Sequence, residues 1–485
     1  MFRRLTLIEL LRGRAQYQSE KTAYTFLRHE SIANSQLTYS QLDTRARAIG
    51  AYLQAHGGAG ERVMLFFPPG LEFVEAFFGC LYAGAVAVPV YALRPGRTLA
   101  RLEGIAENAQ ASIALATAKA PFNPKDSEDL AGLPWLQRLH WAEVETISDD
   151  WKSAWVDPQI NAQTLAYLQY TSGSTSSPKG VMMSHANLFH NAGYLTNSFH
   201  YTPDSIAMFW LPHFHDLGLV AGIIHPLYEG VPSYLMSPAA FLQTPFRWLD
   251  AISRLRVTHS AAPNFAFDYC VRRITAEQRA TLDLSSWQVA INGAEPLRAA
   301  SLDAFSKTFG PQGFRESTFY PAYGLAEATL VVSGVRKAGS TSARQRLSAS
   351  ALQQNRIAAA NNESDEQVLI SCGSFEDDTS VVIVNPKTGC RCGVDEVGEI
   401  WVANASVALG YWNRPAETEQ TFQARLAGDR EPLRPHLGLR AAGDLRSAGR
   451  DRRPAHPLLL RPEGRHDLDG ANLSRREVAR RPPGG

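Results

Sequence analysis

Short apolar runs alternate with segments of helical periodicity along this chain. Residues 63–67 predict a buried strand that ends at two prolines, residues 73–82 predict a helix, and residues 85–90 predict a second strand. Strand–helix–strand alternation is typical of α/β domains, because the helix returns the chain to a parallel neighbouring strand. Further strands are predicted at 165–170 and 289–292, and a chain of 485 residues is too long for a single simple core. We therefore predict an α/β fold of several subdomains, in which helices flank largely parallel sheets.

Two helices are predicted near the N-terminus. The basic start, whose apolar run is interrupted by charges, predicts a short amphipathic helix rather than an export signal. Ser40 is predicted to cap a second helix over residues 46–53, because it precedes an apolar helical period. The most apolar run, residues 73–90, contains Glu75 and several glycines, so it predicts a buried helix and strand rather than a membrane span.

A run of small hydroxyl residues, glycine and one lysine follows the strand predicted before residue 171. Gly173 lets backbone N–H groups approach a ligand closely, and Lys179 adds a mobile positive charge. Such a loop suits a polyphosphate, although Pro178 departs from the common Gly-x-x-x-x-Gly-Lys phosphate loop. An ordinary surface turn is the alternative, since runs of Ser, Thr, Gly and Pro usually form turns. The hydroxyl donors of the run are Thr171, Ser172, Ser174 and Thr175.

This loop resembles the signature of the adenylate-forming, or AMP-binding, superfamily. Its members activate carboxylic acids with ATP, form an acyl-AMP and release pyrophosphate. The run from Tyr323 to Glu327, Tyr-Gly-Leu-Ala-Glu, resembles the second core motif of the family. The resemblance implies that Tyr323 stacks on adenine and that Glu327 binds Mg²⁺, an ion that prefers carboxylate oxygens. Ala326 stands where the family often has threonine, and a helix start with a solvated glutamate is the alternative for this run.

A third motif follows the strand predicted at 289–292. Small residues at a strand end let a flat ring lie against the backbone, as in the adenine slot of the family, while an ordinary turn before a Pro-started helix is the alternative. The resemblance implies ATP or AMP contacts at Thr171, Ser172, Gly173, Ser174, Thr175, Lys179, Asn292, Gly293, Ala294, Glu295, Tyr323, Gly324, Leu325, Ala326 and Asp444.

Residues 210–219, Trp-Leu-Pro-His-Phe-His-Asp-Leu-Gly-Leu, resemble the segment that borders the acid substrate in the family. The resemblance implies that His215, Asp216 and Gly218 contact the acyl substrate and that Lys179, His215 and Glu327 are catalytic. A purely structural histidine is the alternative. A zinc site is disfavoured, because no cysteine pair stands near His213 and His215, the two histidines of this run.

The branch of the family that this chain most resembles is that of the fatty acyl-AMP ligases. Residues 210–242, residues 260–267 and an insertion at 331–368 carry that resemblance. It implies a fatty acid substrate and an acyl-carrier protein whose phosphopantetheine arm accepts the acyl group. In this branch the insertion restrains a small C-terminal domain and disfavours the use of CoA. An acyl-CoA ligase and a catalytically impaired binder of ATP or acyl-adenylate are the alternatives.

The resemblance ends near residue 426. We predict an N-terminal adenylate-forming domain over residues 1–430, with strands at 381–384 and 397–402 forming a small β region at its end. Residues 431–485 predict a disordered remnant of the C-terminal domain, truncated or frame-shifted, because the family's Arg-Thr-Gly-Asp segment is missing and no lysine follows Lys387. Asp444 is a weak substitute for the missing aspartate, and a natural basic tail is the alternative.

Composition excludes several classes of function. The net charge of +1 argues against nucleic-acid binding, and 45% hydrophobic with 20% charged residues fits a globular enzyme. Five cysteines, an odd number without an export signal, predict a reducing, cytoplasmic setting.

Overall fold

Two large sheets organise the protein, and helices pack against them. The computed structural model describes residues 5–28, 35–93, 99–118, 133–171, 178–334 and 343–427, and the backbone of residues 439–441. In chain order, the strands are β1 (Thr22–Leu27), β2 (Ser35–Thr38), β3 (Arg62–Phe67), β4 (Val86–Tyr91), β5 (Ile113–Ala116), β6 (His140–Glu143), β7 (Leu165–Thr171), β8 (Lys179–Ser184), β9 (Ala207–Phe209), β10 (Ser233–Met236), β11 (His259–Ala262), β12 (Val289–Asn292), β13 (Phe319–Gly324), β14 (Val331–Gly334), β15 (Arg344–Ser348), β16 (Glu366–Ile370), β17 (Ser380–Val384), β18 (Glu399–Ala403) and β19 (Leu439–Ala441).

The helices follow the same order between the strands. They are α1 (Leu7–Tyr17), α2 (Tyr39–Ala55), α3 (Leu71–Ala83), α4 (Leu99–Ala109), α5 (Pro134–Gln137), α6 (His185–Phe199), α7 (His225–Glu229), α8 (Pro238–Gln243), α9 (Phe246–Arg254), α10 (Asn264–Arg273), α11 (Ala276–Ala280), α12 (Ala299–Phe309), α13 (Ala349–Gln353) and α14 (Pro415–Phe422). A π-helix spans Leu217–Ile224, and 3-10 turns span Val144–Thr146, Asp149–Ala154, Gly310–Gln312, Glu316–Thr318, Ala326–Ala328 and Glu363–Asp365. Within the described ranges, none of the helices combines the length and apolar character needed to cross a lipid bilayer.

The order of the strands confirms the predicted α/β architecture. The eight-stranded sheet has the order β14-β13-β12-β11-β9-β10-β1-β2, and the six-stranded sheet has the order β6-β5-β3-β4-β7-β8. The inner pairs of both sheets are parallel, whereas β2, β14 and β8 run antiparallel at the edges. The carboxyl ends of the parallel strands in each sheet therefore lie at one edge.

The two sheets share a hydrophobic core. Leu65 of β3 and Ile291 of β12 belong to one cluster, which lies between the sheets. Phe66 faces a second cluster on the outer side of the six-stranded sheet, and Ala290 faces a third on the outer side of the eight-stranded sheet. This alternation follows from the two-residue period of a strand. Helix α3 packs in the shared cluster, which confirms the buried helix predicted at 73–82.

Helix α2 begins earlier than predicted. Thr38, not Ser40, is the N-cap, and its hydroxyl accepts a hydrogen bond from the backbone N–H of Gln41. The Gln41 side chain in turn accepts one from the Thr38 N–H, so both groups of a capping box are satisfied. Ser40 was the wrong choice because the glutamine three residues after Thr38 completes the box.

Strands β17, β18 and β19 form the small antiparallel β region. Strand β19 pairs with β18 through backbone hydrogen bonds, and the domain boundary predicted near residue 430 stays a prediction. The other residues of the segment 431–485, Asp444 among them, lie outside the described residues.

The insertion predicted at 331–368 carries regular structure of its own. Strands β15 and β16 form an antiparallel pair around α13, although most of this segment is polar and exposed. Arg344 of β15 makes ion pairs with Asp303 at 2.6 Å and Glu316 at 2.8 Å, which attach the pair to the large domain. Residues 335–342 of the insertion lie outside the described residues.

Candidate active site

A cavity of about 470 Å³ opens where strand ends from both sheets meet. Its wall contains the carboxyl ends of β4 and β7 from the six-stranded sheet and of β12 and β13 from the eight-stranded sheet. Ligands of open α/β sheets bind at this edge, which makes the cavity the candidate active site. The sequence-predicted residues in its wall are Thr171, His215, Asp216, Gly293, Ala294, Tyr323, Gly324, Leu325, Ala326 and Glu327.

A tight turn after β13 presents Glu327 to the cavity. A β-carbon at Gly324 would lie only 1.7 Å from the carbonyl oxygen of Leu330, so the turn requires glycine there. Thr329 has a φ of +70°, which is unusual for a β-branched residue. Strained backbone of this kind persists only where the surroundings fix it, and it is concentrated at functional sites. The turn therefore fixes Tyr323 and Glu327 side by side.

The Glu327 carboxyl lies in a setting that favours a nearby cation. Burial raises its pKa above the ordinary value, and the charge of Asp216 acts in the same direction. The Tyr411 hydroxyl donates a hydrogen bond to Glu327 Oε1 at 2.8 Å and, with the positive charge of Lys179, opposes that rise in pKa. A cation beside this carboxylate would offset the cost of burying its charge. The geometry therefore suits a metal-binding carboxylate.

Lys179 lies beside the cavity, at the start of β8. The hairpin of β7 and β8 pairs Lys179 with Thr171, the last residue of β7. The Lys179 Nζ atom lies 5.0 Å from the centroid of the Tyr411 ring, within the range of a cation–π contact. The predicted loop residues between these two strands, Ser172, Gly173, Ser174 and Thr175, lie outside the described residues.

His215 and Asp216 form an ion pair in the wall of the cavity. His215 Nδ1 lies 2.6 Å from Asp216 Oδ1, and the histidine side chain is 53% exposed while the aspartate is 11% exposed. Burial lowers the pKa of His215, but the hydrogen bond and charge of Asp216 outweigh it and leave that pKa raised. Gly218 is not part of the wall, and it packs closely in the π-helix, where an added β-carbon would be 2.1 Å from the Pro212 carbonyl oxygen.

The third motif contributes backbone rather than side chains. Gly293 and Ala294 line the cavity, and Ala294 has a φ of +64°. Asn292 is fully buried, and its side-chain amide has no hydrogen-bond partner in the described part of the chain. The Glu295 carboxylate accepts a hydrogen bond from the backbone N–H of Phe265 and so holds the turn. Gly293 and Ala294 fit the predicted slot for a flat ring, whereas Asn292 and Glu295 lie outside the wall.

Gln169 and Arg101 are polar cavity residues that escaped the sequence analysis. Gln169 of β7 donates a hydrogen bond from Nε2 to the Phe214 carbonyl at 2.7 Å and so ties the strand to the segment that carries His215. A buried glutamine in an apolar strand was the available signal. Arg101 of α4 also lines the cavity, and its guanidinium donates to the Thr171 carbonyl at 2.8 Å. The sequence gave no indication that Arg101 belongs to the site, because its helix is far along the chain from the motifs that predicted the other site residues.

The donor groups of the site fit Mg²⁺ better than zinc. In the described ranges, no group of three or more His, Cys, Asp and Glu side chains is arranged to hold a metal ion. Zinc needs such a group, whereas Mg²⁺ is commonly held by one or two carboxylates together with substrate phosphates. Tyr411 occupies one acceptor position of Glu327, and a carboxylate has about four, so capacity for a metal remains.

The chain is similar to known proteins along most of its length. Residues 11–412 match the family described as AMP-binding enzyme. The chain is 50% identical to the medium-chain-fatty-acid–[acyl-carrier-protein] ligase JamA of Moorena producens over 428 residues, which cover 87% of this chain and 72% of that protein. It is 35% identical to the long-chain-fatty-acid–AMP ligase FadD32 of Mycolicibacterium smegmatis over 432 residues, 86% of this chain and 67% of that protein.

A solved structure is also similar to this chain along most of its length. The structure of fatty acyl-adenylate ligase from L. pneumophila, in complex with acyl adenylate and pyrophosphate, is similar to this chain with a TM-score of 0.83 and 41% identity. The match covers 90% of this chain and 74% of that one.

Proposed function

The chain belongs to the AMP-binding enzyme family, and on that premise we propose that it activates a fatty acid with ATP for transfer to an acyl-carrier protein. The fatty acid and ATP give fatty acyl-AMP and pyrophosphate, and the phosphopantetheine thiol of the carrier then displaces AMP. One observation carries the assignment of the site: Tyr323, Glu327 and His215 line a single cavity at the strand ends, with Lys179 beside it.

The residues of the turn after β13 have separate roles in this proposal. The Tyr323 ring stacks on adenine, beside the backbone of Gly293 and Ala294, which follow the neighbouring strand β12. Glu327 holds Mg²⁺ together with the phosphates of ATP. When bound, the metal offsets negative charge on those phosphates. Lys179 and the hydroxyl residues of its loop bind the phosphate chain.

The adenylation step itself needs a carboxylate oxygen of the fatty acid to attack the α-phosphorus, while the bond to pyrophosphate breaks. Negative charge grows on the phosphoryl oxygens as that happens, and preorganised positive groups stabilise it. The hydrogen bond and charge of Asp216 raise the pKa of His215, which favours the positively charged form of the imidazole in the cavity wall. His215 and Asp216 thereby position the acid at the α-phosphate, and Phe214 and Leu217 supply apolar wall for its first carbons.

A cytoplasmic location is part of the proposal. The five cysteine thiols are free, which accords with a reducing compartment.

The decisive experiment separates carrier-protein transfer from CoA ligation. The chain is incubated with ATP, Mg²⁺ and fatty acids of graded length, with either a phosphopantetheinylated carrier protein or CoA, and products are identified by mass spectrometry. We expect acyl-AMP and pyrophosphate in both mixtures and acylated carrier in the first, while the carrier without its arm is the matched control. Acyl-CoA as the main product would replace the proposal with a CoA ligase. Nucleotide binding without any acyl-AMP would leave only a binder of ATP.

A further inference from the structure

A segment beyond the parallel sheets, residues 408–412, lies next to two parts of the candidate site, β8 and the Glu327 turn. It lies antiparallel beside β8 through a single β-bridge between Val181 and Tyr411. Three backbone hydrogen bonds join it to β8: Met182 N–H to Gly410 O at 2.9 Å, Leu409 N–H to Met182 O at 3.0 Å and Trp412 N–H to Gly180 O at 2.8 Å. This pairing fixes where the Tyr411 side chain emerges.

The Tyr411 side chain reaches both predicted catalytic groups on this side of the cavity. Its hydroxyl donates to Glu327 Oε1 at 2.8 Å, and the Lys179 Nζ atom lies 5.0 Å from its ring centroid. The ring is 6% exposed and packs edge-on against Phe422, with centroids 5.1 Å apart. One rigid side chain therefore contacts an anion and a cation that come from different sheets.

The same segment also holds the backbone of the Glu327 turn. The backbone N–H of Ala408 donates to the Glu327 carbonyl oxygen at 2.9 Å. Both the main chain and the carboxylate of Glu327 are thus attached to residues 408–411. A free glutamate side chain samples several rotamers, and a fixed hydrogen bond from a buried donor offsets the entropy that is lost when the side chain is ordered.

We propose that Tyr411 is a positioning residue of the adenylation site, which orients the Glu327 carboxylate toward the metal and holds the Lys179 ammonium beside it. The inference rests on the proposed function, because it needs Glu327 and Lys179 to act on Mg·ATP. Tyr411 itself lies outside the cavity wall, so it acts through these two groups. Groups that hydrogen-bond to metal-binding carboxylates orient them, and their loss typically weakens metal affinity or activity by about 10- to 100-fold.

Three variants separate positioning from general support of the fold. Tyr411→Phe removes only the hydroxyl and keeps the ring against Lys179 and Phe422. Tyr411→Leu removes the ring as well. The matched control is Tyr24→Phe, since the buried Tyr24 hydroxyl donates one hydrogen bond, to the Ile223 carbonyl at 2.7 Å, among residues outside the cavity wall. Both Phe variants lose the hydrogen bond that a buried tyrosine hydroxyl donates, and Tyr411→Phe also loses a hydrogen bond with Thr421, so both should become less resistant to urea.

The test measures binding of ATP by calorimetry over a series of Mg²⁺ concentrations without fatty acid, and then the kcat and KM of acyl-AMP formation. For Tyr411→Phe we expect the Mg²⁺ concentration at half-saturation to rise about 10- to 100-fold, with the KM for fatty acid unchanged. Tyr411→Leu should in addition weaken ATP binding, and Tyr24→Phe should match the wild type in both assays. An unchanged Mg²⁺ dependence in Tyr411→Phe would leave Tyr411 a structural residue and overturn the proposal.

A double-mutant cycle with Glu327→Gln gives a second, independent decision. If Tyr411 acts through Glu327, the double variant is no worse than Glu327→Gln alone, because the hydroxyl has no carboxylate left to orient. Additive losses would overturn the proposal. A wild type that binds Mg·ATP but forms no acyl-AMP would refute the proposed function, while the binding series still decides the role of Tyr411. A wild type that binds no ATP would refute both.

Discussion

Replacement of Gly324 by alanine should disrupt the candidate site through the backbone alone. The added β-carbon would lie 1.7 Å from the Leu330 carbonyl oxygen and 3.0 Å from the Val331 α-carbon. Contacts below 3.0 Å are essentially never seen for real β-carbons, so the two segments must separate by more than about 1 Å. Neither neighbour is a flexible side-chain end, and the strain therefore falls on the turn between β13 and β14.

The size of the effect follows from this contact. Overpacking typically costs about 1–3 kcal/mol, and a clash between two backbones belongs at the upper end, near 3 kcal/mol. Gly293→Ala, whose β-carbon would lie 2.9 Å from the Ala322 carbonyl oxygen, should cost about 1 kcal/mol. Gly310→Ala is the matched control, because no heavy atom lies within 4 Å and its φ is −57°. It should be neutral or stabilising by up to about 1 kcal/mol.

Urea unfolding followed by tryptophan fluorescence ranks the three variants, and titration with ATP reports on the site. We expect the order of stability Gly310→Ala, Gly293→Ala, Gly324→Ala, and a raised KM for ATP in the last two, since Tyr323 and the adenine slot move with the turn. A Gly324→Ala protein as stable as the Gly310→Ala protein, with an unchanged KM for ATP, would refute the tight backbone approach and the role assigned to it.

The other predictions concern charge. Glu327→Gln nearly keeps the shape of the side chain but removes the negative ligand, so Mg²⁺-dependent pyrophosphate exchange should fall at least 10-fold; unchanged Mg²⁺ dependence would remove Glu327 from the site. Lys179→Ala should lower ATP affinity measured by calorimetry, while unaltered binding and turnover would favour a surface turn. Burial lowers the pKa of His185 and of His259 to about 4, so between about pH 6.5 and pH 4 the unfolded chain binds protons that the folded chain refuses. The free energy of unfolding should therefore decrease as the pH is lowered through that window, by up to about 3 kcal/mol per histidine. A urea midpoint that does not change from pH 7 to pH 5 would contradict this.

Local signals explain which parts of the fold were predictable. The side chains of the apolar run at 63–67 are all removed from water only when the strand is buried on both faces. Strand β3 is buried in that way between two clusters. The helix at 73–82 and the strand at 289–292 were equally clear, because their apolar residues leave no polar face. The cap of α2 was misplaced by two residues because both Thr38 and Ser40 carry the hydroxyl that a cap needs.

The contacts that complete the candidate site were not predictable in this way. Tyr411 donates to a carboxylate 84 residues earlier in the chain, and Gln169 donates to a carbonyl 45 residues later. Neither pair is linked by a period or a spacing, since the chain brings them together only after the sheets have formed. The pairing of β19 with β18 was likewise not predictable, because the composition of β19 does not identify the strand beside which it lies.

The anchoring of residues 404–408 explains why the segment that carries Tyr411 is held so firmly. Helix α6 follows directly after β8, and its polar side chains bind this segment rather than solvent. Asn187 donates to the Val407 carbonyl at 2.9 Å, His190 lies 2.7 Å from the Ser406 hydroxyl, and the Thr329 hydroxyl donates to the Ser406 carbonyl at 2.6 Å. The bonds of Asn187 and Thr329 are buried and that of His190 is partly buried. Removing one partner of a buried bond would leave a buried polar group unsatisfied, at a cost of about 1–3 kcal/mol.

The strand that begins with Lys179 and the turn that ends at Thr329 are therefore joined twice, through α6 and through Tyr411. Lys179 and Glu327 come from different sheets, and packing between two sheets is set by apolar side chains that constrain spacing more than lateral position. Directional hydrogen bonds to one intervening segment remove that remaining freedom. The relative position of the predicted phosphate-binding and metal-binding groups thus depends on a third element, residues 404–412, none of which lines the cavity.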